Sequence, residues 1–115
     1  MLTLEQLNEF GADTKEGLAR CMNNEDFYLK MITMGLSDER FETMKDVIEA
    51  KDFETAFEMA HALKGVLGNL ALSPIYDPMS EMTELLRAKV EDADYMSYYN
   101  SVKSQRDKLM EMMGS

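Results

Sequence analysis

The only histidine of the chain, His61, lies next to residues that could assist a reaction on its imidazole ring. Imidazole is a competent nucleophile toward phosphorus near neutral pH. Lys64 follows at i+3, so its ammonium group can reach over the same surface and stabilise an anion held on the ring. Gly65 and Gly68 follow at i+4 and i+7, within about 40° of His61 on a helical wheel. This pattern describes an exposed nucleophile, an open approach and a positive charge.

The two glycines have a structural explanation as well as a functional one. Each glycine inside a helix costs about 1 kcal/mol relative to alanine. Either another helix packs closely against Gly65 and Gly68, or a partner brings a bulky reacting group up to the imidazole. A lone histidine at the edge of an apolar face is more often structural than reactive. Close packing does not require Lys64 at this position, however, so the combination favours a reactive site.

Composition restricts the class of protein and the kind of partner. A chain of 115 residues, 45% hydrophobic and 30% charged, predicts one globular domain over 1–115, and we expect a monomer. The net charge of −10 disfavours nucleic acid and anionic membranes, so the expected partner is a protein. One cysteine, Cys21, and one histidine cannot supply an internal disulfide or a four-ligand zinc site. No stretch resembles a membrane span or a signal peptide, which predicts a cytoplasmic location.

Apolar spacing predicts helices along the whole chain, with no alternating strand pattern. The strongest pattern runs over 52–70. The Ser73-Pro74 pair predicts its end, and Asp77-Pro78 predicts an N-cap followed by proline in the first turn of the next helix. Because the loops are short, the predicted fold is all-α, an antiparallel four-helix bundle with additional short N-terminal helices. The predicted helices span 4–10, 14–22, from 23 or 24 to 36, 37–50, 52–70, 77–89, and from 92 or 94 to 113, with N-caps at Thr3, Asp13, Asn23 or Asn24, Ser37, Asp52, Asp77, and Asp92 or Asp94.

The stretch HALKG at 61–65, followed by GNL at 68–70, resembles the signature of histidine-containing phosphotransfer (HPt) domains. These domains shuttle phosphate between aspartates of receiver domains in multistep two-component signalling. The resemblance implies a four-helix core, phosphorylation of His61 on Nε2, and docking of a receiver domain over that face. It assigns phosphate stabilisation to Lys64, and it assigns access for the partner to Gly65 and Gly68.

Two positions depart from the pattern of the family. Relatives commonly have glycine where this chain has Ala71, so helix 52–70 is expected to end differently. Pro78 falls inside what is often a continuous helix, which suggests a kink or a later start there.

The expected function is that of a phosphorelay intermediate. His61 accepts a phosphoryl group from the phospho-aspartate of one receiver domain and passes it to another, so the chain is a phosphocarrier and not an enzyme. We expect no cofactor of its own, and Mg²⁺ supplied by the receiver. The expected partners are a response-regulator receiver domain and a sensor or hybrid histidine kinase. Two alternatives remain at this point: a non-catalytic helical adaptor that binds a receiver or kinase, and the phosphoacceptor domain of a larger histidine kinase.

Overall fold

The computed structural model describes residues 2–114, so the ends of the predicted domain, Met1 and Ser115, lie outside the described residues. Within residues 2–114 the chain forms helices and no strand, which confirms the all-α prediction. None of these helices is both long enough and apolar enough to cross a bilayer. The helices are α1 (Leu4–Phe10), α2 (Thr14–Arg20), α3 (Glu25–Leu36), α4 (Arg40–Glu49), α5 (Phe53–Asn69), α6 (Ser73–Arg87) and α7 (Tyr95–Gly114).

Most helices begin at caps that the sequence predicts. Thr3 and Gln6 form a complete capping box, in which each side chain accepts a hydrogen bond from the other residue's amide, at 3.1 and 3.0 Å. Four further caps accept a hydrogen bond from the amide three residues on, at 3.0 to 3.2 Å. Each bond satisfies an amide that has no partner inside its helix. These four caps are Asp13, Asn24, Asp52 and Asp94.

The prediction that Ser37 caps α4 was wrong. Ser37 is the C-cap residue of α3, and its hydroxyl donates to the carbonyl of Thr33 at 2.9 Å. The N-cap residue of α4 is Glu39, whose side chain forms no capping hydrogen bond. The carboxylate of Asp38 accepts a hydrogen bond from the amide of Arg40 at 2.9 Å and pairs with the guanidinium of the same residue. Helix α4 therefore begins at Arg40, later than the serine predicts.

The prediction that a helix begins at Asp77-Pro78 was also wrong. Helix α6 begins at Ser73, with Pro74 in its first turn and Pro78 inside it. A proline in the first turn removes no intrahelical hydrogen bond, whereas Pro78 removes one. The compensation is apolar burial, since Ile75 and Met79 lie one turn apart and are both fully buried. Packing against the core thus keeps the helix continuous through Pro78.

Helices α4 to α7 form the predicted four-helix bundle. α4 contacts α5, α5 contacts α6, α6 contacts α7, and α7 contacts α4, which closes the ring. The connections between them are short, so consecutive helices run antiparallel. The centre is filled by fully buried apolar side chains, including Met44, Ala60, Leu63, Leu67, Met79, Met82, Tyr99, Val102 and Leu109.

The N-terminal helices brace the end of α5. The phenol of Tyr28 on α3 donates to the carbonyl of Leu70 at 2.8 Å, and the amide of Asp13 donates to the carbonyl of Ala71 at 3.0 Å. A Cβ atom on Gly17 of α2 would overlap the phenol of Tyr28, so this glycine permits close packing. Burial raises the pKa of Tyr28 to about 12. Just after α5, Ala71 has a left-handed φ of 56°, a backbone conformation that glycine adopts more readily than alanine.

Candidate functional site

The imidazole of His61 lies on the surface of α5, next to the core. Ala60 and Leu63, on either side of it along the helix, are fully buried, whereas His61 is exposed and Lys64 is half-buried. Each residue of an α-helix is rotated by about 100° from the one before it, so His61 lies on the exposed face while Ala60 lies on the buried face. The predicted exposure of the imidazole is confirmed.

Gly65 and Gly68 differ in what surrounds them. A Cβ atom added to Gly65 would meet no atom within 4 Å, so the surface beside the imidazole is bare. A Cβ atom added to Gly68 would lie 3.2 Å from Cε2 of Tyr76 on α6. Close packing between helices therefore accounts for Gly68, and it does not account for Gly65.

A cleft of about 480 Å³ brings together all four residues that the sequence singles out. His61, Lys64, Gly65 and Gly68 line it from α5, and further lining residues come from α2, from α6 and from the segment between α5 and α6. The pattern of 61–70 contains no signal for the residues on α2 and α6, since only the packing of those helices places them here. The further lining residues include Arg20 on α2, Asn69 at the end of α5, and Tyr76 on α6.

Arg20 brings a second positive charge to this cleft. Its Nη2 atom pairs with Oε1 of Glu16, one turn earlier on α2, at 3.1 Å. Its Nη1 atom donates to Oδ1 of Asn69 at 3.4 Å. Arg20 and Asn69 are both exposed, so the guanidinium remains accessible from the cleft.

The imidazole is also bordered by an aromatic ring and by helix α6. The rings of Phe57 and His61 are stacked, with centroids 5.6 Å apart and planes at 16°. On α6, the pKa of Glu84 is lowered, first by the hydrogen bond from Nε of Arg87 at 2.9 Å and further by the charges of Arg87, Lys64 and His61. This carboxylate therefore lies within electrostatic reach of both site residues on α5.

Across residues 2–114, no group of three or more His, Cys, Asp or Glu side chains is placed to hold a metal ion.

One of the comparisons with known proteins gives a match. No curated protein and no solved structure matches the chain. The family model described as Hpt domain matches residues 33–108, which is more than half of the chain and includes the whole of α4, α5 and α6. The chain therefore belongs to the Hpt domain family, whose members carry phosphoryl groups on a histidine in two-component signalling.

Proposed function

We propose that His61 is the phosphoacceptor of a phosphorelay, taking a phosphoryl group from the phospho-aspartate of one receiver domain and passing it to another. The observation that carries this proposal is the empty space at Gly65, where an added Cβ atom would meet nothing within 4 Å. An exposed imidazole beside a bare helical surface can be approached by the active site of another protein. In this role the chain is a carrier with no turnover of its own.

The transfer exchanges one bond to phosphorus for another. The lone pair of the attacking His61 nitrogen, Nε2, forms the new N–P bond, while the O–P bond to the aspartate breaks and its electron pair leaves with the carboxylate. The proton of the neutral imidazole must then reside on Nδ1. The reverse step returns the phosphoryl group to a second aspartate. Such transfers depend mainly on in-line positioning and on neutralising the equatorial oxygens.

Lys64 is the residue proposed to neutralise part of that charge. It stands at i+3 from His61, half-buried in the same cleft, and its charge contributes to lowering the pKa of Glu84 on α6. An ammonium group here can donate charge-assisted hydrogen bonds to the phosphoryl oxygens. Gly65 keeps the approach open, while Gly68 lets α5 pack closely against Tyr76 at the side of the cleft. Mg²⁺ is proposed to come from the receiver domain together with the acidic acceptor.

An apolar groove beside the cleft extends the proposed docking surface for the receiver. Phe27 and Met31 of α3 line this groove, which shares Arg20 and Asn69 with the cleft at His61. Phe27 is 40% exposed, and covering such a side chain is a common source of binding energy at interfaces. Phe27→Asp should weaken receiver binding roughly tenfold, equivalent to about 1.4 kcal/mol. Met22→Asp, at an exposed residue outside the groove, is the control, and equal effects of the two changes would argue against this surface.

The phosphoacceptor assignment is tested by mixing the protein with a phosphorylated receiver domain and Mg²⁺. The expected product carries one acid-labile phosphate, and its appearance should match the loss of phosphate from the receiver. His61→Gln should abolish the label while leaving receiver binding intact, because the side chain is exposed on the surface of α5. A labelled His61→Gln variant, or an unlabelled native chain, would refute the proposal.

A further inference from the structure

One aromatic ring lies against the imidazole of His61. Within residues 2–114, no side chain or backbone group forms a hydrogen bond or an ion pair with this imidazole, and its one ring contact is with Phe57. Phe57 lies four residues earlier on α5, where side chains of a helix meet. The two rings are nearly parallel, with centroids 5.6 Å apart.

Phe57 is itself held in place by helix α6. The guanidinium carbon of Arg87 lies 5.1 Å from the centroid of the Phe57 ring, within the range of a cation–π contact. Nε of Arg87 in turn donates a hydrogen bond to Glu84 at 2.9 Å, and both of these side chains are exposed. Phe57 is half-buried, whereas the imidazole that stacks on it is exposed. The chain thus places a half-buried aromatic ring against an exposed imidazole that forms no hydrogen bond or ion pair within residues 2–114.

We propose that Phe57 is a positioning residue, which holds the imidazole of His61 in the orientation needed for in-line attack on phosphorus. This inference rests on the proposed function of His61. Offset stacking of an aromatic pair favours one arrangement by roughly 2- to 10-fold. An imidazole that loses this contact samples its other rotamers, and only a fraction of encounters then begins with the nitrogen aligned.

The kinetic test compares the native chain with Phe57→Leu and Phe57→Tyr. Phe57→Leu removes the ring and keeps an apolar side chain, so the maximal rate of transfer from a phosphorylated receiver should fall roughly 2- to 10-fold. The receiver concentration at half-maximal rate should remain nearly unchanged, because Phe57 acts through the imidazole. Phe57→Tyr keeps the ring and should restore the native rate.

Phe53→Leu is the matched control. Phe53 lies one turn earlier on the same helix, is also half-buried, and contacts the ring of Tyr95 at 5.2 Å instead of His61. It therefore reports the general effect of removing an aromatic ring from this part of α5. Equal maximal rates for the native chain and Phe57→Leu, or equal losses in Phe57→Leu and Phe53→Leu, would overturn the inference.

The single histidine allows a direct spectroscopic readout. A proton–carbon NMR spectrum of the imidazole contains the signals of His61 alone, and stacking shifts them through the ring current of Phe57. Phe57→Leu should move these signals toward those of an unstacked imidazole, while Phe53→Leu should leave them in place. In the native chain, the absence of cross-relaxation between the two rings would overturn the inference even if a variant failed to fold. A native chain that accepts no phosphate removes the function and this inference together, whereas unchanged kinetics in Phe57→Leu removes this inference alone.

Discussion

Two regions of the molecule each contain a cation, Arg106 in one and Lys64 in the other, and the surroundings of these two cations are opposite. At the corner where α3, α4 and α7 meet, Arg106 is buried, and its Nε atom donates to the carbonyl of Leu36 at 2.8 Å. Its Nη1 atom pairs with Glu42 at 2.8 Å, and its guanidinium carbon lies 5.2 Å from the ring centroid of Phe41. In the cleft at His61, by contrast, no group among residues 2–114 forms a hydrogen bond or an ion pair with the ammonium of Lys64.

The contrast separates charges that hold the fold together from a charge that is available to a partner. A cation whose hydrogen bonds are made within the chain contributes to folding, and its loss leaves buried acceptors unsatisfied. A cation without such bonds contributes little to folding, but it can bind an anion that a partner delivers. Substitutions at Arg106 and Lys64 should therefore affect different measurements.

The largest effect on stability is expected at Arg106. Arg106→Met keeps most of the apolar stem but leaves the buried carbonyl of Leu36 without its donor. The free energy of unfolding should fall by about 2 to 3 kcal/mol, mostly from that lost bond, since the exposed Glu42 adds little through its ion pair. Urea denaturation measures the change. Lys108→Met, an exposed residue of the same helix, should change stability by less than about 0.5 kcal/mol, and an equal effect at both positions would contradict the structural role of Arg106.

Lys64 should show the opposite behaviour. Lys64→Ala removes a charge-assisted contact to the phosphoryl oxygens, so transfer should slow on the order of 10- to 100-fold. The free energy of unfolding should change by no more than about 0.5 kcal/mol, because no bond within the chain is lost. Stopped-flow or rapid-quench transfer from a phosphorylated receiver gives the rate. If Lys64→Ala transfers as fast as Lys108→Ala, the positive charge at position 64 has no part in the reaction.

The difference between the two regions also explains what the sequence could predict. The residues His61, Lys64, Gly65 and Gly68 belong to one helix, so the helical repeat alone places them on one face. Arg20 and Tyr76 complete the same cleft from α2 and α6, and their positions depend on how those helices pack. Contacts between helices leave no regular spacing in the sequence.

The start of α6 was mispredicted because a local rule competed with packing. Asp77-Pro78 has the composition of a helix start, but the apolar stripe of α6 already begins at Ile75. The burial of Ile75, Met79 and Met82 outweighs one hydrogen bond lost at Pro78. The apolar stripe by itself predicts the longer helix, whereas the two prolines by themselves predict the shorter one.

A smaller structural effect is expected at Asp38, beside the same corner as Arg106. Its carboxylate accepts a hydrogen bond from the amide of Arg40 and pairs with the guanidinium of Arg40 at 2.6 Å. Asp38→Ala should therefore lower the free energy of unfolding by about 1 kcal/mol at neutral pH. The hydrogen bond from Arg40 lowers the pKa of Asp38 from its ordinary value of 3.8. The stabilisation is therefore present above that value and is lost as the pH falls through the lower pKa of the folded state.

Urea denaturation at a series of pH values tests the sign of this effect. The difference between the native chain and Asp38→Ala should stay constant from pH 7 to about pH 5 and then shrink as the carboxyl is protonated. Asp46→Ala, on the exposed surface of α4, should show a small difference. A difference at Asp38 that grew on acidification would mean that Arg40 does not stabilise the charged carboxylate.

A change in stability of the opposite sign is expected at the two glycines of the cleft, and it sharpens the comparison within one helix. Gly65→Ala should raise the free energy of unfolding by up to about 1 kcal/mol, since alanine favours the helix and its methyl group meets no neighbour. Gly68→Ala should gain less, because its methyl group would press on Tyr76 at 3.2 Å. If Gly65 is kept small for access, Gly65→Ala should transfer phosphate more slowly while it is more stable. If Gly65→Ala gained stability and kept its full transfer rate, access for the partner would not explain Gly65. Packing does not explain it either, because the added methyl group meets no neighbour.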